Sequence, residues 1–571
     1  MISPRKAVTA MSPYKPPTDG RTGRLRLDFN ENTVGCSPKV IEALKTVTPD
    51  FLATYPEYRE LRGALGKYFN VSADQVLTTD GTDEAIKNII EVFIEKGVDE
   101  IIIPSPTYTM FPFYAQLNEA RIKTIPYNSD LSFPTEQVIQ AISKTTKIVV
   151  LVNPNNPTGT SIKSEDVVRI VEKARENQSL VLIDEAYYQY FGRTDIPLIK
   201  TYNNVVVIQT FSKAFGLAGL RLGCILSNKE TIAVLKKALS PYSVNILATL
   251  AAKAALQDKA YVETYVSQVK ESKKLLYAAL EALNIPSYPS DANFMLVKIG
   301  NQAQRFCDLL RERGILVRNR SSDLLLEGCV RITLGTVEQT KKLISELENV
   351  IKDIRPLLIF DMDGVLVDVS NSYRVAIQKT AEQFIGGTVT PEEIQLFKEK
   401  GGCNNDWDLT MAIIESRGIK AERKNVIGAF QERYLKLMPA EKWLFEKTLL
   451  KNLSAQYRLV IFTGRPREEA FFALKNNCVE QFFDSVIAME DVEKQKPDPE
   501  GLLKLKEMYS NQEACYFGDS VDDIASAVSA NVNPIGVFPP QNKSEQLKTR
   551  LQTAGARIIL KDINQIKEAL S

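Results

Sequence analysis

The sequence predicts two α/β domains, each built on a largely parallel β-sheet covered by helices. Its 571 residues are too many for one hydrophobic core. Short apolar, β-branched runs alternate with stretches of helical periodicity along nearly the whole chain, as is typical of parallel sheets. The pattern breaks at "IKDIRP" (351–356), and a second α/β series begins at Leu357. We therefore expect a domain boundary at this point.

The first half contains five runs with the length and composition of buried strands. Amphipathic stretches between them would form the covering helices. Residues 230–285 have a largely helical pattern, and a small mixed segment, about 286–350, follows. The five runs are "VLTT" from Val76, "IIIP" from Ile101, "KIVVLVN" from Lys147, "LVLID" from Leu180 and "VVVIQ" from Val205.

The second half contains five more strand-like runs. Between the first two lie nearly a hundred residues of helical pattern, far more than a crossover connection needs. This length predicts a helical insertion, about 373–450, over one end of the sheet. The five runs are "LLIFD" from Leu357, "RLVIF" from Arg458, "ACYFG" from Ala514, "PIGVF" from Pro534 and "RIIL" from Arg557.

The composition argues against several classes of protein. With 71 Lys and Arg against 70 Asp and Glu, the net charge of +1 gives no indication of nucleic-acid binding. Apolar runs such as "IVVLV" from Ile148 are far too short to cross a membrane. Seven singly scattered cysteines suit a reducing cytosol. The first 24 residues lack an apolar signal core, although the absence of acid before Asp19 leaves a transit peptide open. We expect a cytoplasmic protein.

The chain contains no histidine. A Ser–His–Asp triad, a Cys–His dyad, a His-ligated zinc ion and a histidine general base are therefore all excluded. Catalysis must depend on lysine, carboxylates, tyrosine, arginine, a cofactor or a hard metal ion.

The stretch "TFSKAFGLAGLRLG" (210–223) brings together groups suited to a phosphorylated aldehyde. Lysine becomes a nucleophile when a dry pocket or a nearby cation lowers its pKa, which makes Lys213 a candidate to bind an aldehyde. The planar guanidinium of Arg221 suits a phosphate dianion, and Thr210 and Ser212 add hydroxyl donors. Pyridoxal phosphate is a molecule that satisfies the whole stretch.

Other strand ends supply the remaining groups that this cofactor needs. Asp184 ends an apolar strand, and a buried acid there can keep a pyridine nitrogen protonated. Tyr187 and Asn156 can hydrogen-bond the phenolic oxygen, and Tyr108 can stack on the ring. The glycine turn in "TDGTDEAI" opens a helix whose first amides can cradle the phosphate. These amides belong to Gly81, Thr82 and Asp83.

Over its first 350 residues the sequence resembles the fold-type I pyridoxal-phosphate aminotransferases of classes I and II, and among them the histidinol-phosphate aminotransferases. The resemblance implies a large α/β domain, a small α+β domain and pyridoxal 5'-phosphate as cofactor. It is carried by "DFNENTVGCSP", "TYPEYRELRGALGKYF", "NPNNPTG", "IDEAYYQYF", "SKAFGLAGLRLG" and "RITLGT".

The resemblance also implies roles for residues outside the cofactor motifs. Arg331 in "VRITLGT" would bind the carboxylate of the amino-acid substrate. Tyr14 and Arg318 would bind the substrate phosphate. Tyr55 would reach the cofactor phosphate of a partner subunit, which implies a homodimer. Threonine-phosphate decarboxylases and some aromatic aminotransferases share nearly the same landmarks, so the substrate stays open.

The motif "LLIFDMDGVLVD" predicts a second site. Asp361 and Asp363 lie two residues apart at a strand end and would point the same way. Such a pair suits Mg²⁺ and phosphoryl transfer, with Asp361 as nucleophile and Asp363 as acid and base. A capped turn is the simpler alternative.

Three later motifs favour the phosphoryl-transfer interpretation. "LVIFTGRP" offers the Thr463 hydroxyl to phosphoryl oxygens, and "KQKPDP" offers the Lys496 cation. "YFGDSVDD" would complete a metal site of Asp361, Asp363, Asp519 and Asp523. In this order the motifs resemble the haloacid-dehalogenase-like (HAD) phosphatases, whose α-helical cap the long insertion also resembles. Phosphonoacetaldehyde hydrolases share this fold but have a small residue in place of Asp363. The aspartate at this position therefore favours a phosphatase.

Together the two resemblances predict an N-terminal arm (1–24), an aminotransferase domain (25–352), a linker (353–356) and a Rossmann-like HAD domain (357–571). The expected bifunctional enzyme converts imidazole-acetol phosphate and glutamate to histidinol phosphate, and removes phosphate from a small metabolite such as that product. The alternatives are another aminotransferase, a phospho-amino-acid decarboxylase, and a second domain with an unrelated substrate or a regulatory binding role.

Overall fold

The computed structural model describes residues 2–13, 19–400, 406–509 and 513–570. These residues form two compact units, Met1–Ile351 and Lys352–Ser571. A helix spans Val337–Ile354 and the next strand starts at Leu357, so the predicted linker begins inside a helix. Within the described ranges, no helix combines the length and apolar character that a membrane crossing requires.

A seven-stranded sheet forms the centre of the first unit, in the order β2-β8-β7-β6-β5-β3-β4. Neighbouring strands are parallel except at β8, which runs antiparallel to both β2 and β7. All five runs predicted in this half are strands of this sheet. The strands are β2 (Val76–Asp80), β3 (Glu100–Ser105), β4 (Arg121–Pro126), β5 (Thr146–Val152), β6 (Leu180–Asp184), β7 (Val205–Thr210) and β8 (Leu222–Leu226).

Polar side chains gather at the carboxyl edge of this sheet. Strands β6 and β7 are buried along their whole length, which explains their near-continuous β-branched composition. They end at Asp184 and Thr210, which therefore lie at the same edge because the two strands are parallel. Helix α5 (Gly81–Phe93) begins directly after β2.

A smaller set of strands completes the first unit. β1 (Leu25–Arg26) pairs with β10 (Ile315–Leu316), and β11 (Arg318–Asn319), β12 (Cys329–Thr333) and β9 (Phe294–Lys298) form an antiparallel sheet in that order. The register of β11 and β12 places Arg318 opposite Arg331. The other helices of the unit are α1 (Lys6–Thr9), α2 (Pro38–Leu44), α3 (Pro49–Ala53), α4 (Arg59–Phe69), α6 (Met110–Leu117), α7 (Thr135–Ala141), α8 (Ser164–Glu176), α9 (Tyr188–Phe191), α10 (Lys229–Leu235), α11 (Ile246–Leu256), α12 (Lys259–Ala282), α13 (Ala303–Glu312) and α14 (Val337–Ile354).

The second unit contains a six-stranded sheet in which every neighbouring pair is parallel. All five runs predicted in this half are strands here. The sixth strand, Ser485–Ile487, was not predicted. In sheet order the strands are β17 (Ser485–Ile487), β16 (Arg458–Phe462), β13 (Leu357–Phe360), β18 (Ala514–Gly518), β19 (Asn533–Val537) and β20 (Ile558–Leu560). The helices α19 (Lys447–Gln456), α20 (Arg467–Asn476), α21 (Glu500–Tyr509), α22 (Val521–Ser529), α23 (Glu545–Ala554) and α24 (Lys567–Leu570) follow along the chain.

Among the described residues, four α-helices between β14 (Val367–Asp368) and β15 (Lys442–Trp443) form the insertion, and we call them the cap. They are α15 (Tyr373–Ile385), α16 (Pro391–Lys400), α17 (Asp406–Ser416) and α18 (Arg423–Leu437). The strands β14 and β15 form an antiparallel pair that brackets the cap. Cap side chains such as Ile413, Val426 and Phe430 share one buried apolar cluster with Phe360 of the sheet.

Two candidate active sites

In the first unit, a cavity of about 370 Å³ lies at the carboxyl edge of the seven-stranded sheet. It brings together residues that are up to 302 positions apart in sequence, from Phe29 to Arg331. Most of the predicted cofactor and substrate residues line it. These are Thr82, Asp83, Tyr108, Asn156, Asp184, Tyr187, Thr210, Ser212, Lys213, Arg221, Arg318 and Arg331.

Lys213 lies in this cavity with its amine held by the backbone. Its Nζ donates a hydrogen bond to the carbonyl oxygen of Phe29 over 2.9 Å. Burial, followed by repulsion from Arg331, lowers the pKa of Lys213 to about 8. About a tenth of the amine is therefore neutral and nucleophilic at pH 7.

Asp184 is 3% exposed and accepts the backbone N–H of Ala186 over 3.0 Å. Burial raises the pKa of its carboxyl to about 7. A cationic ring nitrogen bound beside this carboxylate would favour its ionised form, and the carboxylate in turn would favour the protonated ring. This reciprocal preference fits the predicted partner of a pyridinium.

The predicted phosphate end of the cavity fits an anion. Arg221 has a left-handed backbone (φ +56°), and its Nη2 lies 2.9 Å from Asp83 Oδ2. Gly81 has φ +68°, and a Cβ there would approach Arg221 Nη2 to 2.5 Å, so the helix start and the guanidinium meet only at glycine. The buried Ser212 Oγ has no hydrogen-bond partner among the described residues. An unpaired hydroxyl beside an arginine suits the phosphate of pyridoxal phosphate.

Arg331 also lines the cavity and is buried. Its guanidinium donates to Asn156 Oδ1 over 2.5 Å and to the carbonyl oxygen of Asp28 over 2.7 Å. Its buried Nε has no partner among the described residues, and burial followed by repulsion from Arg320 lowers its pKa to about 10. An incoming carboxylate can satisfy this unpaired donor.

Some residues of the first site differ from the predictions. The Asp83 side chain binds both Arg221 and the Tyr108 hydroxyl, whereas only its amide was predicted to take part. Asn30, which donates to the Tyr187 hydroxyl over 3.0 Å, and Arg320 also line the cavity and were not predicted. Asn30 could have been identified from its place in the motif "DFNEN". Arg320 could have been identified because it lies two residues after Arg318.

Among the described residues predicted for this site, Gly81 and Tyr55 do not line the cavity. Gly81 lies behind Arg221, as described above. Tyr55 is 74% exposed and stacks on Tyr242 with ring centroids 4.5 Å apart. Tyr14 falls outside the described residues.

A cavity of about 140 Å³ lies at the carboxyl edge of the second sheet. Asp361 and Asp363 follow β13, and Asp519 follows β18 immediately before α22. Ser520 caps that helix by accepting the N–H of Asp523 over 3.2 Å, which turns the Asp523 carboxylate back toward the strand ends. Asp361, Asp363, Lys496, Asp519 and Asp523 all line the cavity.

Lys496 is the centre of a buried charge cluster. Its Nζ lies 2.6 Å from Asp361 Oδ1 and 2.8 Å from Asp523 Oδ1. Although burial alone would lower the pKa of Lys496, these two carboxylates raise it, so the ammonium stays charged. Burial raises the pKa of Asp361, and Lys496 opposes that rise.

Three of the four predicted metal ligands lie together. Carboxylate oxygens of Asp361, Asp519 and Asp523 fall within 4.8 Å of one another, a donor set that suits a hard cation such as Mg²⁺. A Cβ at position 364 would collide with the Asp519 carboxylate, which explains the glycine of "DMDG". The side chain of Asp363 is not part of this group, because Arg465 binds it.

Arg465 is a residue of the second site that the sequence analysis missed. It is 2% exposed, its Nε donates to Asp363 Oδ1 over 2.6 Å, and its Nη1 donates to Glu441 Oε2 over 2.9 Å. Thr463, predicted to bind phosphoryl oxygens, accepts the Arg465 N–H over 3.2 Å and is outside the cavity lining. In the sequence, the position of Arg465 directly after Thr463 and Gly464 could have indicated that it belongs to the site.

Comparisons with known proteins show which families the two parts of the chain match. Residues 22–347 match the model of the family "Aminotransferase class I and II", and residues 358–537 match "Haloacid dehalogenase-like hydrolase". A histidinol-phosphate aminotransferase of Caldanaerobacter subterraneus subsp. tengcongensis is 35% identical over 332 residues, which cover 57% of this chain and 93% of the relative. A histidinol-phosphate aminotransferase of Methanocaldococcus jannaschii is 36% identical over 337 residues, which cover 57% of this chain and 89% of the relative.

Solved structures resemble the first unit. The histidinol-phosphate aminotransferase of Sinorhizobium meliloti in complex with pyridoxal-5'-phosphate is 27% identical with a TM-score of 0.53, covering 57% of this chain and 90% of that one. The L-threonine-O-3-phosphate decarboxylase of Porphyromonas gingivalis shares the fold, at 24% identity and a TM-score of 0.50, and the match covers 57% of this chain and 98% of that one.

The predicted fold class is confirmed. The chain belongs to the aminotransferase class I and II family and carries a haloacid-dehalogenase-like hydrolase domain after its aminotransferase domain.

Proposed function

We propose that the chain is a bifunctional enzyme. Its first unit transfers an amino group from glutamate to imidazole-acetol phosphate and so forms histidinol phosphate, with pyridoxal 5'-phosphate as cofactor. Its second unit is an Mg²⁺-dependent phosphatase for a small phosphorylated metabolite, and histidinol phosphate is the proposed substrate. Histidine biosynthesis in the cytoplasm is the setting that this pairing suits.

One observation supports the aminotransferase activity: an amine, a carboxyl group and several arginines line a single cavity. Pyridoxal phosphate, when bound, supplies an electron sink. Arg221 and Ser212 would hold its phosphate and Asp184 its ring nitrogen. Arg331 binds the carboxylate of glutamate, and the Lys213 amine, with a pKa of about 8, takes and returns the proton at the substrate Cα.

Arg318 supports the choice of a phosphorylated substrate. It lies opposite Arg331 in the β11–β12 register, and both Arg318 and Arg320 line the cavity. Two arginines beyond the one assigned to the amino-acid carboxylate suit a second, doubly charged anionic group. The relatives over this part of the chain are named histidinol-phosphate aminotransferases, which supports a phosphorylated substrate.

The charge cluster around Lys496 supports the phosphatase. Asp361 can attack phosphorus, while the ammonium of Lys496, 2.6 Å away, neutralises the developing charge. Asp361, Asp519 and Asp523 would hold Mg²⁺. Asp363, held in place by Arg465, can exchange a proton with the leaving oxygen and then with water.

We also propose that the first unit forms a homodimer. Tyr55 and Tyr242 form a stacked aromatic pair that is largely exposed on this chain. Paired exposed aromatic rings are enriched at protein interfaces, and Tyr55 is the residue proposed to reach the partner's cofactor. Sedimentation of the purified protein at several concentrations measures the assembly directly.

One experiment tests both activities. Purified protein with Mg²⁺ is incubated with histidinol phosphate, with and without 2-oxoglutarate, and the products are analysed. An aminotransferase forms glutamate from histidinol phosphate only when 2-oxoglutarate is present, a decarboxylase forms no glutamate and has no carboxylate to remove from this substrate, and the phosphatase releases phosphate in both cases. Absence of glutamate would refute the first half, and absence of phosphate would refute the assigned phosphatase substrate.

A further inference from the structure

Three arginines of the small antiparallel sheet line the cavity of the first unit. Arg318 and Arg320 are two residues apart in an extended segment, and side chains at this spacing share a face. Arg331 of β12 lies opposite Arg318, and the Arg320 N–H donates to the Cys329 carbonyl oxygen over 2.9 Å, so the pairing of the strands continues to Arg320. The Asn319 side chain, between the first two arginines, instead donates to a side chain of α13 over 2.9 Å. The register therefore brings three guanidiniums to the cavity.

Arg320 combines an ion pair with a donor that remains available. Its guanidinium forms a close ion pair with Asp323, and both side chains are largely buried. Its buried Nε has no hydrogen-bond partner among the described residues. Burial, followed by repulsion from Arg320, lowers the pKa of Arg331 to about 10, which indicates that the two guanidiniums are close together. Arg320 can therefore act on the same ligand as Arg331.

A phosphate presents more oxygens to these arginines than a carboxylate does. One planar guanidinium fork can bind both oxygens of a carboxylate. The phosphate of a monoester has a third terminal oxygen, which suits a second guanidinium. In histidinol phosphate this group is attached through a methylene and an ester oxygen, whereas the α-carboxylate of glutamate is attached directly to the carbon that bears the amine. The phosphate therefore reaches farther from the reacting carbon.

We propose that Arg320 is a specificity residue of the first site, which binds the phosphate of a phosphate monoester and leaves the binding of glutamate unaffected. The inference rests on the aminotransferase activity proposed above and deepens it. The resemblance to histidinol-phosphate aminotransferases assigns Tyr14 and Arg318 to the phosphate and gives Arg320 no role. Because glutamate and the phosphate ester enter the same cavity in turn, such a residue allows one site to bind both.

A purely structural role for Arg320 predicts a different result. Its ion pair with Asp323 and the hydrogen bond from the Asp323 N–H to the Arg320 carbonyl oxygen, over 3.0 Å, close the turn that follows β11. Asp323→Asn removes the same ion pair but leaves the guanidinium in place. It is therefore the matched control for Arg320→Gln.

The test compares histidinol phosphate with histidinol, which differ only in the phosphate, as amino donors to the holoenzyme. An Asp361→Asn background prevents hydrolysis of the ester, and the absorbance change of the bound cofactor reports the first site alone. Arg320→Gln should lower the preference for histidinol phosphate, as a ratio of second-order rate constants, about 10- to 150-fold, as expected for one charge-assisted contact. The rate constant for glutamate should not change, and Asp323→Asn should retain the preference. An unchanged preference in Arg320→Gln, an equal loss for glutamate, or the same loss in Asp323→Asn would overturn the inference.

Two further comparisons separate the possible failures. If neither histidinol phosphate nor glutamate changes the cofactor absorbance, the proposed aminotransferase activity and this inference both fail. If both amines react but the phosphate preference does not depend on Arg320, only the inference fails. Arg320→Lys keeps a charge for Asp323 and provides the same test if Arg320→Gln does not fold. The preference should again fall, because an ammonium lacks the planar fork, and an unchanged preference would contradict the role of Arg320.

Discussion

At the scale of single residues, burial sets the chemistry of the first site. Lys213, Asp184 and Arg331 all have pKa values moved toward neutrality, chiefly because burial disfavours their charged forms. A bound ligand of opposite charge would favour the ionised form of each of these groups. The cavity is therefore suited to a cofactor and a substrate whose charges are opposite to those of the side chains that bind them.

The first prediction concerns reconstitution of the apoprotein with pyridoxal phosphate. The rate should rise with pH around a midpoint near 8, because only the neutral Lys213 amine reacts. Arg331→Gln removes a positive charge that disfavours the ammonium form, so the Lys213 pKa and the midpoint should both increase. Stopped-flow absorbance measures the rate, with Arg169→Gln at an exposed ion pair as control. A midpoint that stays fixed or falls in Arg331→Gln contradicts the assignment.

The second prediction concerns the substrate carboxylate. Arg331→Ala should raise KM for glutamate about 10- to 150-fold, since a charge-assisted hydrogen bond contributes about 1.5–3 kcal/mol. Steady-state kinetics at saturating cofactor give the value. An unchanged KM would show that another group binds the carboxylate.

At the scale of elements, Arg465 joins the cap to the sheet. It follows β16 of the sheet, while Glu441 lies at the end of the cap next to β15, and the guanidinium lies 5.0 Å above the ring of Tyr373 in α15. The same guanidinium holds Asp363. The position of the proposed acid and that of the cap are therefore linked through one buried side chain.

The third prediction follows from this link. Glu441→Gln removes one of two carboxylates that neutralise a buried guanidinium, and it should destabilise the second unit by about 1–3 kcal/mol. Glu393→Gln removes a cap carboxylate that binds a half-exposed arginine at 2.7 Å, and it should cost about 1 kcal/mol or less. Denaturant unfolding followed by a probe in the second unit compares the two. Equal losses would mean that the buried contact contributes no more than the exposed one.

Elements with strong local signals were predictable, and elements that depend on distant partners were not. Strands β5 to β7 each contain an unbroken apolar run because both of their faces are buried. Strand β4 was missed because its mostly exposed or half-buried residues at the sheet edge leave no apolar run. Arg465 was missed for a related reason: its partner Asp363 lies 102 residues away, and only the folded chain brings them together.

At the scale of the whole molecule, the chain combines two sites that would act on the same phosphate ester. The proposed aminotransferase site uses the substrate phosphate as a binding group, through Arg318 and its neighbours. Removal of phosphate before transamination would deprive the first site of that contact. The chemistry therefore favours transamination first and hydrolysis second.

The last prediction tests this order with two variants in the full chain. Asp361→Asn keeps the size of the side chain but removes the proposed nucleophile, so it should accumulate histidinol phosphate from imidazole-acetol phosphate and glutamate. Unmodified protein should form histidinol and free phosphate in equal amounts. Lys213→Ala should form neither product from this mixture, yet it should hydrolyse added histidinol phosphate. Chromatography of the products with a phosphate assay follows each species. If the unmodified protein hydrolyses other phosphate esters but leaves histidinol phosphate intact, the two sites do not act in sequence, because the second must then serve a different metabolite.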